Sequence, residues 1–319
     1  MTSIRESIRQ RFTPISPIEP GVYQYQAPQE DPRNFRFHLR VESSGEGVMI
    51  VNASTVLHLN QTATEHAYYL VQSTPEKEAA DLIASRYRVS YEQALQDYSD
   101  FKETIDTLVT IPDLDPIAYL GFDRTRPYSR EITAPYRLDC ALTYQLPPGN
   151  DPQLAPHTRA DRDLSLEEWK IILDKSWAAG IPHVIFTGGE PTLRDDLLEI
   201  ILYAEQIGQV TGLLTDGIRL DQPGYFDSLL QTGLDHMLIL LEPQQEHIWE
   251  SIKQSASSDI YTTVHLTLTP ENHAKTLGFI ERLAELEVPS ISLSASTEDL
   301  DEDLVAAQEY AANMDIALV

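Results

Sequence analysis

The sequence predicts an α/β protein, in which a partial (β/α)6 barrel follows a small α+β domain. From residue 137 onward, short apolar segments alternate with amphipathic ones, which is typical of a parallel sheet with helical crossovers. Between residues 35 and 110, three short strand patterns precede three helix patterns. Six or seven βα units are too few for a complete eight-stranded barrel, and they match an open, partial TIM-like barrel.

The composition limits the classes of function. The chain has 319 residues, of which 50 are acidic and 23 basic, giving a formal net charge of −27. This balance argues against a nucleic-acid partner or an anionic membrane surface, because phosphate contacts need clustered Lys and Arg. No apolar run is long enough to span a bilayer, and the N-terminus lacks the apolar core of a signal peptide. One cysteine excludes an intrachain disulfide framework, so the expected compartment is the cytoplasm.

Changes in composition divide the chain into four segments. We expect a polar arm over residues 1–33, a small winged-helix-like domain over 34–110, a proline-containing linker over 111–136 and the barrel over 137–319. Within the small domain, residues 35–41 alternate between apolar and basic side chains and predict a half-buried strand. We expect that strand to lie at a sheet edge, where a peptide can add as a further strand.

The barrel elements are placed by hydrophobic periodicity and by turn residues. The expected strands lie near residues 137–144, 183–187, 210–214, 236–241, 262–268 and 290–293, with a seventh beginning near 316. The expected helices lie near residues 166–179, 193–206, 225–232, 244–254, 270–286 and 298–313.

One segment stands out within the barrel: residues 184–196, which read VIFTGGEPTLRDD. Gly188 and Gly189 permit a sharp turn and the close approach of another group. Thr192 is predicted to cap the following helix, with Asp195 as its partner in a capping box. Glu190 therefore lies between the carboxyl end of a strand and the start of a helix, which is where α/β folds bind ligands.

The GGEP turn resembles the motif of the radical S-adenosylmethionine (SAM) superfamily that meets the methionine end of SAM. Residues 137–144 resemble the first strand of that family, and residues 215–217, which read TDG, resemble the TNG that ends its third strand. Glu242 and Asn272 follow the fourth and fifth strands, where the family often has polar groups. The resemblance implies SAM contacts from Gly188, Gly189, Glu190, Pro191, Thr215, Asp216, Glu242 and Asn272.

The chain departs from the family at the iron–sulfur site. The family's three cysteines, spaced CxxxCxxC, fall on Leu146, Asn150 and Gln153, and the one cysteine, Cys140, lies inside a predicted strand. None of the three replaces a thiolate. We therefore expect no [4Fe–4S] cluster, no metal, and at most weak binding of SAM.

The N-terminal domain resembles PqqD-like domains, which recognise peptides in systems that modify ribosomally made (RiPP-type) peptides. The resemblance rests on the order of the elements and on the VLHLNQTA stretch at residues 56–63. We therefore expect a non-redox pseudoenzyme that binds or regulates within such a system, beside a leader-like peptide or a partner radical SAM enzyme. A scaffold domain that binds no peptide is the other interpretation of the N-terminal segment.

An enzyme that uses the same cleft is the alternative to a pseudoenzyme. It would bind SAM weakly without a cluster, or hold Mg²⁺ or Mn²⁺ on Glu190, Asp216 and Glu242, which end three successive strands. No zinc-binding spacing is present, so His183, His236 and His265 are expected to be structural.

Overall fold

The computed structural model describes residues 16–28, 30–33, 35–52, 55–111, 133–148, 161–314 and 316–319. The chain divides into two compact units, residues 1–136 with 178–182, and residues 137–177 with 183–319. Most of the expected linker lies outside the described residues. Over the described part of the chain, no helix is long and apolar enough to cross a bilayer.

The N-terminal unit pairs an antiparallel sheet with three helices. The sheet order is β1-β2-β3-β4, with β1 at Gly21–Gln26, β2 at Arg36–Val41, β3 at Gly47–Val51 and β4 at Thr55–Leu59. The helices are α1 (Gln61–Val71), α2 (Glu76–Tyr87) and α3 (Tyr91–Thr110). As the sequence predicts, Ser90 begins α3, and its side chain accepts a hydrogen bond from the Gln93 amide at 3.1 Å.

Strand β1 corrects two expectations. Residues 21–26 are not part of a polar arm, because they pair with all six residues of β2. Strand β2 is consequently not at an edge; the edges of this sheet are β1 and β4. The Tyr25 ring packs against Phe35 and Phe37, with centroids 5.8 and 5.9 Å apart. Local periodicity missed β1 because half of its residues are Gly or Gln, and the strand is fixed by pairing with β2 and by this aromatic packing.

Strand β2 is buried on both faces rather than on one. Its apolar residues pack towards the helices, while Arg36, His38 and Arg40 on the other face are only 5–7% exposed. The Arg40 guanidinium is neutralised in part by Glu42, whose carboxylate lies 3.2 Å away. The alternation of residue types therefore identifies the strand but not the burial of its polar face.

The C-terminal unit is a seven-stranded, all-parallel sheet, and this confirms the predicted α/β class. Its strand order is β11-β10-β9-β8-β7-β6-β5. The strands are β5 (Arg137–Thr143), β6 (His183–Gly188), β7 (Val210–Thr215), β8 (His236–Leu240), β9 (Tyr261–Leu268), β10 (Ser290–Ala295) and β11 (Ala317–Leu318). The helices are α4 (Leu166–Ala178), α5 (Leu197–Gln206), α6 (Tyr225–Leu230), α7 (Glu246–Ala256), α8 (Thr276–Glu285) and α9 (Asp301–Asn313). A partial TIM-type barrel is consistent with this order.

The core of this unit is built from one face of the sheet and the apolar faces of the helices. Val184 and Phe186 on β6, and Val264 and Leu266 on β9, are fully buried in it. Neighbouring residues of the same strands point to the other face and are more exposed. That second face, and the carboxyl ends of the strands, remain available for a site.

Candidate functional site

A cleft of about 670 Å³ opens at the carboxyl ends of the parallel strands. This volume lies within the range of small-molecule binding sites in proteins. Its walls come from the segments that follow β5 to β8 and from both β9 and the turn after it. The lining residues include Leu146, Gly188, Gly189, Glu190, Leu214, Asp216, Leu240, Glu242, His265, Thr267, Glu271 and Asn272. Six of the eight residues expected to bind SAM are thus together, and Thr215 and Pro191 adjoin them.

The two glycines of the GGEP turn are required by the backbone that follows β5. The amide of Gly189 donates to the Thr143 carbonyl at 2.8 Å, and the amide of Glu190 donates to the Gln145 carbonyl at 2.7 Å. A Cβ atom on Gly189 would lie 1.9 Å from the Gln145 carbonyl oxygen, and Gly188 has a φ of +145°. The expected close approach is therefore made by the chain itself, which holds the two βα turns together.

The Glu190 side chain is the buried centre of this arrangement. It is 3% exposed, and its Oε1 accepts hydrogen bonds from the Thr192 amide at 2.8 Å, the Thr192 hydroxyl at 2.5 Å and the Thr215 hydroxyl at 2.8 Å. Its Oε2 accepts from the Asp216 amide at 2.8 Å. Burial, and next the nearby Asp216 charge, raise the pKa of Glu190, while these hydrogen bonds oppose the rise. The carboxylate thus joins two strand ends rather than presenting both oxygens to a ligand.

The predicted capping box does not form, because the Thr192 hydroxyl donates its hydrogen bond to the Glu190 carboxylate. A short 3-10 helix, Pro191–Leu193, follows Glu190, and α5 begins only at Leu197. Arg194, between them, donates to the Leu142 and Leu164 carbonyls at 2.9 Å each and so ties both stems of the long loop after β5.

Asp216 and Asn272 differ in how far the protein satisfies their side-chain hydrogen-bonding groups. Oδ1 of Asp216 accepts from the Ile218 amide at 2.9 Å, while its Oδ2 is buried without a hydrogen-bond partner among the described residues. Burial raises the pKa of Asp216. Asn272 is used internally: its Oδ1 accepts from the Thr269 amide at 2.8 Å and its Nδ2 donates to the Thr267 carbonyl at 2.9 Å. Asp216 therefore has one buried oxygen without a hydrogen-bond partner among the described residues, whereas Asn272 shapes the turn after β9.

The carboxylates at the strand ends do not form the metal site of the alternative interpretation. Among the described residues, no group of three or more His, Cys, Asp or Glu side chains is placed to hold a metal ion. Both carboxylate oxygens of Glu190 already accept hydrogen bonds, from four protein donors in all. The alternative in which Glu190, Asp216 and Glu242 converge on Mg²⁺ or Mn²⁺ is therefore not supported by the described residues.

The donor set of the described residues does not fit a cluster held by three thiolates. The chain's one cysteine, Cys140, is buried in β5, and burial raises the pKa of its thiol to about 12. Leu146 lines the cleft with a hydrocarbon side chain. Asn150 and Gln153 lie outside the described residues.

Sequence reasoning missed a polar cluster in the cleft wall. Nε2 of His265 on β9 lies 3.1 Å from the Thr267 hydroxyl and 3.2 Å from the Ser294 hydroxyl of β10. The sequence predicts only a structural role for His265, because that prediction does not consider which face of β9 carries the residue. The alternation of β9 places residues 263, 265 and 267 together, away from the core, and could have indicated the cluster.

Comparison with curated proteins gives relatives named PqqA peptide cyclase. The one from Ruegeria pomeroyi is 31% identical over 170 residues, which is 49% of this chain and 45% of the relative. The one from Rhizobium meliloti is 30% identical over 141 residues, which is 41% of this chain and 37% of the relative. The chain therefore spans less than half the length of these relatives.

Comparison with solved structures gives Streptococcus suis SuiB. SuiB bound to the precursor peptide SuiA has a TM-score of 0.61 at 13% identity, covering 93% of this chain and 72% of SuiB. SuiB bound to S-adenosylmethionine has a TM-score of 0.57 at 13% identity, covering 92% of this chain and 70% of SuiB. At this identity the likeness shows a shared fold.

These relatives overturn two expectations drawn from the sequence. A non-redox binding or regulatory component is the wrong conclusion, because the relatives carry the name of an enzyme, a peptide cyclase. The expectation of a protein without cofactors is also wrong, because a model of the radical SAM superfamily, whose members use SAM and a [4Fe–4S] cluster, matches this chain, and SuiB is described bound to SAM. Both expectations rested on the missing cysteine spacing alone, which says nothing of the rest of the cleft.

A protein-family model described as the radical SAM superfamily matches residues 140–311, more than half of the chain. The match begins in β5 and ends in α9, so it covers strands β6 to β10 and the cleft. The chain belongs to the radical SAM superfamily.

Proposed function

We propose that this chain is an enzyme of the cytoplasm that binds SAM in the cleft and modifies a ribosomally made peptide. The observation that carries the proposal is the 670 Å³ cleft, one wall of which is the GGEP turn. The printed names of the relatives, a peptide cyclase and a protein bound to a precursor peptide, support a peptide as the substrate.

The chemistry of the cleft suits SAM. Its carboxylates include Asp216, Glu242 and Glu271, while its described lining residues include no Lys or Arg. SAM carries a positive sulfonium and an ammonium group, so these carboxylates lower its energy in the cleft. Leu214 and Leu240 give the same cleft an apolar wall, on which the adenine can pack.

The N-terminal unit supplies a second pocket, which we assign to the leader part of the peptide, as in PqqD-like domains. This pocket has a volume of about 380 Å³, and its lining includes Tyr25, Phe35, Phe37 and Ile105, with Lys102 at the rim. Tyr25 belongs to β1, an edge strand. A peptide that adds to this edge can place an apolar side chain in the pocket while its backbone pairs with β1.

Mass spectrometry of peptides incubated with the full chain, SAM and a reductant tests the enzyme proposal. The probes are the short peptides encoded beside this chain, and the expected result is a change in mass that requires both SAM and the chain. No mass change in any of them would contradict the proposal.

Binding to the N-terminal pocket is measured separately by fluorescence anisotropy with the same peptides. Lys102→Trp should block the pocket and weaken binding, because Lys102 lines it. Lys77→Trp is the matched control, since Lys77 is exposed on α2 and lines neither pocket. Equal affinities for the two variants would place the peptide elsewhere.

A further inference from the structure

The imidazole of His265 is held from one side by a closed ring of hydrogen-bonding groups. Its Nε2 lies within 3.2 Å of both the Thr267 and the Ser294 hydroxyls, and Ser294 donates to Thr267 at 3.1 Å. Residues 265 and 294 lie on neighbouring parallel strands whose register fixes their separation. The ring orientation is thus set by two strands of the sheet rather than by a loop.

Hydroxyl partners allow this imidazole to change its protonation state without losing its anchor. In the neutral tautomer that leaves Nδ1 unprotonated, Nε2 carries the hydrogen and donates it to the Ser294 hydroxyl, and it makes the same hydrogen bond after Nδ1 has gained a proton. A carboxylate partner would favour only the protonated form. Neither hydroxyl belongs to a charged group, and no carboxylate is hydrogen-bonded to His265 among the described residues.

The second ring nitrogen faces no protein partner. Among the described residues none forms a hydrogen bond with Nδ1 of His265, and this atom is not sealed from solvent. The residue lines the cleft, and its register partner on β8 is Leu240, which lines the cleft beside it. Nδ1 is therefore the nitrogen available to a molecule in the cleft.

The surroundings of this imidazole also favour its neutral form. Burial lowers the pKa of His265 below its usual value of 6.5. The other titratable groups that line the cleft are Glu190, Asp216, Glu242 and Glu271, and each is an acid at the end of another strand or in the turn after β9. A neutral imidazole with an open nitrogen is a Brønsted base ready to accept a proton.

We propose that His265 is the proton acceptor of the cleft and acts on the part of the peptide that meets SAM there, which rests on the proposed function. The bond between hydrogen and a heteroatom of the bound peptide breaks, its electron pair stays on the heteroatom, and the proton bonds to Nδ1. The imidazolium donates from Nε2 to the hydroxyls, and it returns the proton to water when the product leaves. No electron is transferred, so the step needs no oxidant or reductant.

Acylation by diethyl pyrocarbonate tests this assignment without any peptide or SAM, because the reagent acylates a histidine only at an unprotonated, accessible ring nitrogen. Modified residues are located by peptide mass spectrometry over a range of pH, with the exposed His273 as the internal check on the reagent. We expect His265 to be acylated with a midpoint below pH 6.5. Leu240→Trp, which fills the space beside His265, should abolish the reaction, while Leu277→Trp on α8 should leave it unchanged.

Two results would overturn the assignment. The first is a native protein whose His265 resists acylation while His273 reacts, and the second is a midpoint above the ordinary histidine value. Once the peptide substrate is identified, His265→Gln should lose turnover while it keeps the affinity for the peptide. Wild-type turnover by that variant would also refute the role. A protein that binds no peptide but passes the acylation test would contradict only the proposed function.

Discussion

The carboxylate of Glu190 accepts a hydrogen bond from the Thr215 hydroxyl at 2.8 Å, which joins the turn after β6 to the end of β7. The same oxygen also accepts from Thr192, and the other oxygen accepts from the Asp216 amide. The family motif residue therefore acts as the structural centre of one cleft wall. Glu190 also fixes the backbone of Asp216, because its Oε2 accepts a hydrogen bond from that amide.

Glu190→Ala should destabilise the C-terminal unit. The substitution leaves the buried Thr192 and Asp216 amides and the Thr215 hydroxyl without acceptors, and a loss of about 3 kcal/mol in the free energy of unfolding is expected. Urea denaturation gives the value. Glu199→Ala is the control, since Glu199 is exposed on α5. Equal free energies of unfolding for the two variants would show that the Glu190 carboxylate does not stabilise the C-terminal unit.

Substitution of two glycines by alanine should change the free energy of unfolding in opposite directions. Gly189→Ala should prevent proper closure of the turn, because the new Cβ would lie 1.9 Å from the Gln145 carbonyl oxygen. Gly278→Ala, within α8, meets nothing within 4 Å and should raise the free energy of unfolding by about 0.5–1 kcal/mol. Thermal unfolding monitored by circular dichroism measures both. A Gly189→Ala protein with wild-type stability would disprove the close backbone approach.

The pair His183 and His236 should make the free energy of unfolding fall at acid pH. Their Nε2 atoms lie 2.6 Å apart at the amino ends of β6 and β8. Burial first, and then the neighbouring His236 and Arg137 charges, lower the pKa of His183 to about 3. The unfolded chain has the ordinary value near 6.5. Stability contributed by the neutral residue is therefore present above pH 6.5 and is lost as the pH falls towards 3.

His183→Gln tests this relationship. The variant should reduce the slope of unfolding free energy against pH between 6.5 and 3 by up to about 1.4 kcal/mol per pH unit, which corresponds to one proton. His273→Gln, at an exposed site, is the control. An unchanged slope in His183→Gln would mean that the pair does not resist protonation.

Sequence periodicity predicted the C-terminal sheet well, because each buried strand there carries its own apolar signal. The predicted strand near residues 183–187 appears as His183–Gly188, and the one near 262–268 as Tyr261–Leu268. The same reasoning missed β1, whose place depends on the rings of Phe35 and Phe37. Strand position is a local property, whereas strand pairing at an edge is decided by distant partners.

The motif and its position at the strand ends predict residues that line one cleft, but not the hydrogen bonds that those residues make. Six expected residues line one cleft. However, the amide of Asn272 is hydrogen-bonded to the backbone of Thr267 and Thr269, and the carboxylate of Glu190 accepts hydrogen bonds from protein donors. His265 was set aside because no metal-ligand spacing marks it. Which hydrogen bond a polar side chain makes depends on distances between strands, which the linear sequence does not contain.

The central claim is that SAM binds in the cleft walled by the GGEP turn. Leu240 lines that cleft and is 36% exposed, so Leu240→Trp can fill the cleft without entering the core. Leu277, 44% exposed on α8, lines neither pocket and gives the control variant Leu277→Trp.

Isothermal titration calorimetry of SAM into the full-length wild-type chain and these two variants measures the claim most directly. The account predicts saturable binding to the wild type and to Leu277→Trp, and its loss in Leu240→Trp. Absence of binding to the wild type, or equal binding to all three proteins, would contradict it.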